Sequence, residues 1–222
     1  MASALRRKQQ VVPRRVELPE RIEEMLRGLA APDPRVREAA ASEFRSVREP
    51  RAAARLQALI NDGDLRVRIA AAEALHNQGD SGGVPALIDI LGSRAESDIR
   101  CLAGRALGNI GDRRAVRPLI EALSSTDRTL QAYAAEALGR IGEPAAAEAL
   151  LELAGRGRGR ARVSAIRALG GTGVRDARGQ RVLAQALEKY RLALIVGFVR
   201  AALFALLSQA FQLALHSDQV IQ

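Results

Sequence analysis

The stretch Val67-Arg68-Ile69-Ala70-Ala71-Ala72-Glu73-Ala74-Leu75-His76-Asn77-Gln78-Gly79-Asp80 decides the fold. Its apolar positions recur at three- and four-residue steps, the period of a helix face. The pattern returns as Ile99-Arg100-Cys101-Leu102-Ala103-Gly104-Arg105-Ala106-Leu107-Gly108-Asn109-Ile110-Gly111-Asp112. It returns again as Leu130-Gln131-Ala132-Tyr133-Ala134-Ala135-Glu136-Ala137-Leu138-Gly139-Arg140-Ile141-Gly142-Glu143. The landmark leucines Leu75, Leu107, Leu138 and Leu169 stand 32, 31 and 31 residues apart. Counting back 31 from Leu75 reaches Phe44, which closes Val36-Arg37-Glu38-Ala39-Ala40-Ala41-Ser42-Glu43-Phe44. Five copies at one period predict a repeat array in which each unit buries its neighbour.

Each unit reads as two helices. The first carries Val84, Leu87, Ile88 and Leu91 in one copy and Val116, Leu119, Ile120 and Leu123 in the next. Asp33, Asp64 and Asp127 open the second helix, since an Asp side chain accepts from the free N–H groups of a first turn. Pro34 suits the first helical position. Gly79, Gly111, Gly142 and Gly173 close it, where a left-handed residue is expected. No alternating apolar run or Asn-Gly turn announces a strand. The boundaries predicted are a basic tail over 1–15 and a solenoid over 16–222. Its units cover about 18–49, 50–81, 82–113, 114–144 and 145–175, with a degenerate cap at 176–222.

With the turn acids and the Ala-Leu-Gly-x-Ile-Gly endings in view, the units resemble HEAT repeats, in particular the short type called PBS-lyase-like. The resemblance covers about residues 18–175. It implies an all-α, right-handed solenoid of about five to six two-helix repeats whose second helices line the concave face. It also implies a ladder pairing Asp33, Asp64 and Asp127 with Arg37, Arg68 and Arg100. Gln131 stands at the ladder position in the fourth unit, and Arg158 at the capping position in the fifth. In the third unit Glu96 takes the Asp position, leaving Ser97 or Asp98 to cap.

The 222 residues carry a net charge of +9, with 48% hydrophobic and 3% aromatic content. Arg6, Arg7, Lys8, Arg14 and Arg15 in the tail, with Arg156, Arg158, Arg160 and Arg162, account for all of that excess. Only Lys8 and Lys189 among 34 basic residues are lysine. A GC-rich coding sequence produces the same bias as selection for phosphate binding. One cysteine, Cys101, excludes an intramolecular disulfide framework and fits a reducing, cytoplasmic setting. No apolar leader segment follows the first basic residues.

A solenoid presents an extended surface. The second-helix positions that recur at four-residue steps nominate Glu73, Asn77, Arg105, Asn109, Glu136, Arg140 and Arg167 as partner contacts. The run Arg156, Arg158, Arg160, Arg162, alternating with glycine, is a candidate contact for an anionic surface, or a solvated turn. The stretch 192–215 is apolar nearly all round, and Phe204, Leu207 and Phe211 are placed on an outward face that pairs two copies or seats the partner. Arg200 within it argues against a membrane span.

Chemistry is sparse. His76 and His216 are the only histidines, and neither precedes a Glu as a His-Glu metal motif requires. Cys101, mid-helix where other copies carry Ile69 or Ala132, reads as structural. No catalytic residue, metal site or cofactor is predicted. The function expected is a non-catalytic protein–protein interaction scaffold. The alternatives are an accessory subunit of a bilin-lyase-like enzyme, or an electrostatic nucleic-acid-binding HEAT protein.

Overall fold

The computed structural model describes residues 18–171, and all regular structure among them is helical. The helices are α1 (Leu18–Gly28), α2 (Pro34–Glu43), α3 (Pro50–Leu59), α4 (Leu65–Gln78), α5 (Val84–Gly92), α6 (Ser97–Ile110), α7 (Val116–Ala122), α8 (Arg128–Ile141), α9 (Ala147–Arg156) and α10 (Gly159–Gly171). Short 3-10 turns at Arg113–Ala115 and Pro144–Ala146 lead into α7 and α9. Odd-numbered helices are the first of each repeat, even-numbered ones the second. The predicted α-solenoid repeat is therefore present in each copy. None of these helices is long and apolar enough to cross a membrane. The apolar stretch 192–215, with Phe204, Leu207 and Phe211, lies outside the described residues, as do Gly173 and the basic tail.

The helices fall into two compact units, divided after Gly83. In the first, α2 packs on α4, and α1 and α3 pack on their second helices. Its core is Met25, Leu26, Leu29, Phe44, Leu56, Val67 and Leu75. Phe44 is fully buried. In the second unit α6, α8 and α10 stack in sequence while α5, α7 and α9 cover them. Leu87, Leu107, Leu119, Leu130, Leu138, Leu150 and Leu153 form its core. Each buried leucine contributes about 1.5–3 kcal/mol from apolar surface alone. Small residues let the second helices touch: a Cβ on Gly139 would stand 2.7 Å from the Cα of Ala168.

The helix ends follow the turn chemistry. Asp33 accepts from the Arg35 N–H, Asp64 from Arg66 and Val67, and Asp127 from Thr129 and Leu130. Gly79, Gly111 and Gly142 close α4, α6 and α8 at φ of +93°, +75° and +76°. In the third repeat the cap position falls on Glu96, ahead of Ser97 and Asp98. Helix α6 starts at Ser97 after Glu96, whose side chain makes no cap bond. The Ser97 hydroxyl instead donates to the Asp127 carboxylate.

The expected ladder is corrected. Arg37 pairs with Asp62, not with Asp33 or Asp64, through Nε to Oδ2 at 2.8 Å and Nη2 to Oδ1 at 2.9 Å. Its Nη1 donates to the carbonyls of Ala31 and Pro32. Arg68 turns to the Asp62 carbonyl, and Arg100 donates to the Leu91 carbonyl at 2.9 Å. Gln131 does the same for the Ser125 carbonyl at 2.7 Å. The shared duty of this position is thus to satisfy carbonyls at the end of the first helix of its own repeat, as at Leu91, or in the turn after it, as at Ala31, Pro32, Asp62 and Ser125. A neutral amide can do that, which explains how Gln131 substitutes for arginine.

Candidate functional face of the second helices

Glu73 is buried and Asn77 half-buried, and both are engaged within the first unit. The Glu73 side chain is 7% exposed and accepts from Arg45 Nη1 at 2.9 Å. Asn77 Nδ2 donates to the Phe44 carbonyl at 3.2 Å, and Gln78 Nε2 to the Val47 carbonyl at 2.8 Å. The cause lies in how α2 ends. Its C-cap Phe44 is right-handed, without the glycine that closes α4, α6 and α8. Carbonyls left open there need outside donors, and the last turn of α4 supplies them. In this unit the nominated positions fasten α4 to the segment after α2.

In the second unit Arg105, Asn109, Arg140 and Arg167 are exposed and Glu136 is half-buried. Arg140 Nη1 donates to Asn109 Oδ1 at 2.6 Å across α6 and α8. The close approach of Gly139 to Ala168 draws α10 onto α8. Beside that contact lies a cleft of about 260 Å³ lined by Glu136, Gly139, Arg140, Ser164, Arg167 and Ala168. Arg140 and Arg167 thereby share one cleft.

Glu136 is engaged within this face. It accepts from Ser164 Oγ at 2.9 Å and pairs with Arg160 Nη2 at 3.5 Å. The Arg160 guanidinium lies 4.8 Å over the Tyr133 ring. Glu136 above all, with Tyr133, holds the Arg160 pKa above its ordinary value. Tyr133 and Ser164 were not among the nominated residues. They occupy the same place in their repeats as Ala39, Ala70 and Leu102. A polar or aromatic side chain at an otherwise aliphatic repeat position was the available signal.

The arginine run over 156–162 is not one loop. Arg156 ends α9, where it pairs with Glu152 and its Nη2 donates to the Leu123 carbonyl. Arg160 and Arg162 belong to α10, whose first residue, Gly159, has φ of +57°. Only Gly157 and Arg158 lie between the two helices. The run is therefore not a single turn: the four arginines are divided between two helices and their link.

His76 is exposed on α4. Cys101 is buried on α6, and burial pushes its thiol above the ordinary value, the opposite of an activated nucleophile. Among the described residues no group of three or more His, Cys, Asp or Glu is placed to hold a metal ion.

The family model for HEAT repeats matches residues 22–100 and 84–170. Solved structures of similar fold include two engineered proteins of the Northeast Structural Genomics Consortium. One is 23% identical, with a TM-score of 0.52 over 77% of this chain and 96% of that one. The other is 23% identical, with a TM-score of 0.55 over 74% and 86%. The complex of CpcE and CpcF of phycocyanin lyase from Nostoc sp. PCC7120 is 27% identical, with a TM-score of 0.46 over 62% and 64%. No curated protein matches the chain.

Proposed function

The chain belongs to the HEAT-repeat family, and from that premise we propose that it is a non-catalytic protein–protein interaction scaffold whose docking face is the second-helix side of α6, α8 and α10. HEAT repeats form a scaffold of the kind that mediates protein interactions. The observation that carries the assignment to this face is the exposed row Arg105, Asn109, Arg140 and Arg167, tied together by the Arg140–Asn109 hydrogen bond and the cleft at Arg140 and Arg167. Row and cleft stand on a rigid stack of buried leucines, which suits a preformed docking surface. Glu73 and Asn77 are assigned to the internal fastening of the first unit instead. The lone buried cysteine supports a reducing compartment such as the cytoplasm.

Site-directed photo-crosslinking in the native host tests this reading. A crosslinker placed at Arg105, Arg140 or Arg167 is expected to capture the same protein. One placed at Arg117, whose side chain is 91% exposed on α7, is expected to capture none. Capture from Arg117 with none from the other three overturns the assignment.

A further inference from the structure

We infer that the face of α6, α8 and α10 takes an acidic, extended segment of a partner protein, with spaced carboxylates meeting Arg105, Arg140 and Arg167. This rests on the reading of that face as the docking surface and adds the chemistry of its occupant.

Charge is divided between the two layers of this unit. Helix α10 holds Arg160, Arg162 and Arg167 without an acid. The covering helices α5, α7 and α9 hold Asp89, Glu121, Glu148 and Glu152 against two arginines, Arg117 and Arg156. A basic second-helix side and an acidic first-helix side orient an acidic partner toward the former.

Contacts place the arginines in one row. Arg140 bonds Asn109, and Arg105 lies one helical turn before Asn109 on α6. Arg140 and Arg167 both line the cleft between α8 and α10. Arg100 is excluded, because its Nε is spent on the Leu91 carbonyl. Glu136, the acid in the row, is already held by Ser164 and Arg160. It leaves Arg140 and Arg167 uncancelled at the rim. An arginine fork binds a carboxylate through two parallel N–H donors, so separated arginines read separated carboxylates.

A nucleic-acid strand fits this face less well. It brings a phosphate at every step and relies on bases stacking on aromatic rings. Tyr133 is the aromatic residue of α6, α8 and α10, and Arg160 already covers its ring.

The test uses the full chain, at low salt, with fluorescence anisotropy of a short labelled peptide alternating Glu and Ala. Probes for comparison are the same peptide with Gln for Glu, and a single-stranded oligothymidine of equal charge. The Glu peptide is expected to bind and the Gln peptide not to. Combined Arg105→Glu, Arg140→Glu and Arg167→Glu is expected to weaken binding by about ten-fold or more, and Arg117→Glu to leave it unchanged. Circular dichroism checks that the triple variant is folded, and Arg167→Gln alone provides a milder form. Equal affinity of the triple variant, or tighter binding of the oligonucleotide lost in the same variant, overturns the proposal. If crosslinking maps a partner to this face through a segment without acids, the occupant is wrong and the docking face stands. If no crosslink maps here, the docking face itself is wrong.

Discussion

A Cβ added to Gly108 would stand 2.6 Å from the Cα of Ala137, closer than real side chains approach. Alanine favours a helix over glycine by about 1 kcal/mol, but overpacking a close contact costs about 1–3 kcal/mol. Gly108→Ala is therefore expected to lower the urea unfolding midpoint. Gly92 ends α5 with nothing within 4 Å of such a Cβ. Gly92→Ala is expected to raise stability by up to about 1 kcal/mol. The reverse order of the two variants would show that α6 and α8 do not touch at Gly108.

The Arg37–Asp62 pair makes acid sensitivity specific. Arg37 holds the Asp62 carboxyl below its ordinary value, chiefly through their hydrogen bonds. A depressed carboxylate pKa contributes stability above the unfolded value of about 3.9. That contribution is lost as pH falls through the folded value. Hydrogen bonds to a charged partner are worth about 1.5–3 kcal/mol, so Asp62→Asn is expected to destabilise near that amount at pH 7. The gap between the two proteins should close toward pH 3. Chemical denaturation at pH 7, 5 and 3 measures it, and a gap independent of pH contradicts the pairing.

The caps differ in what they contribute. Asp127 accepts from two N–H groups of α8 and from the Ser97 hydroxyl. Asp127→Ala is expected to cost about 1–2 kcal/mol. Glu96 makes no cap bond to α6, so Glu96→Ala should stay within about 0.5 kcal/mol of the parent. Glu96→Asp, which shortens the side chain to capping length, is expected to add about 0.5–1 kcal/mol. Thermal melts of the three variants rank them.

Glu73 provides a separation of structure from binding. Glu73→Ala removes a buried acceptor but leaves Arg45, whose side chain is 43% exposed, to water, so it is expected to cost about 0.5–1.5 kcal/mol. Crosslinking from Arg140 should be undiminished in that variant below its melting temperature. Loss of the crosslink with no change in melting would instead return Glu73 to the docking surface.

Much of the fold was legible because repeats repeat their local chemistry. The landmark leucines, the caps Asp33, Asp64 and Asp127, and the left-handed glycines Gly79, Gly111 and Gly142 depend on bonds within a few residues of each other. Such bonds leave a mark at fixed spacing. The site was less legible. The four-residue recurrence put Glu73, Asn77, Arg105, Asn109, Glu136, Arg140 and Arg167 on corresponding places of their helices, and this alone could not say which were covered.

Coverage was decided between helices. Asn77 turned inward because α2 ends at Phe44 without a glycine cap, and its carbonyls needed donors from α4. Arg37 chose Asp62 over Asp33 and Asp64 because the neighbouring repeat brings that carboxylate within 3 Å of its fork. Arg140 and Arg167 came to share a cleft because Gly139 and Ala168 let α8 and α10 touch. Sequence by itself determined the unit, its period and its caps, since those follow from helix geometry and local hydrogen bonds. Which polar side chains face the neighbour and which face solvent followed only from the stagger of one repeat against the next, a relation set by packing over some thirty residues of separation.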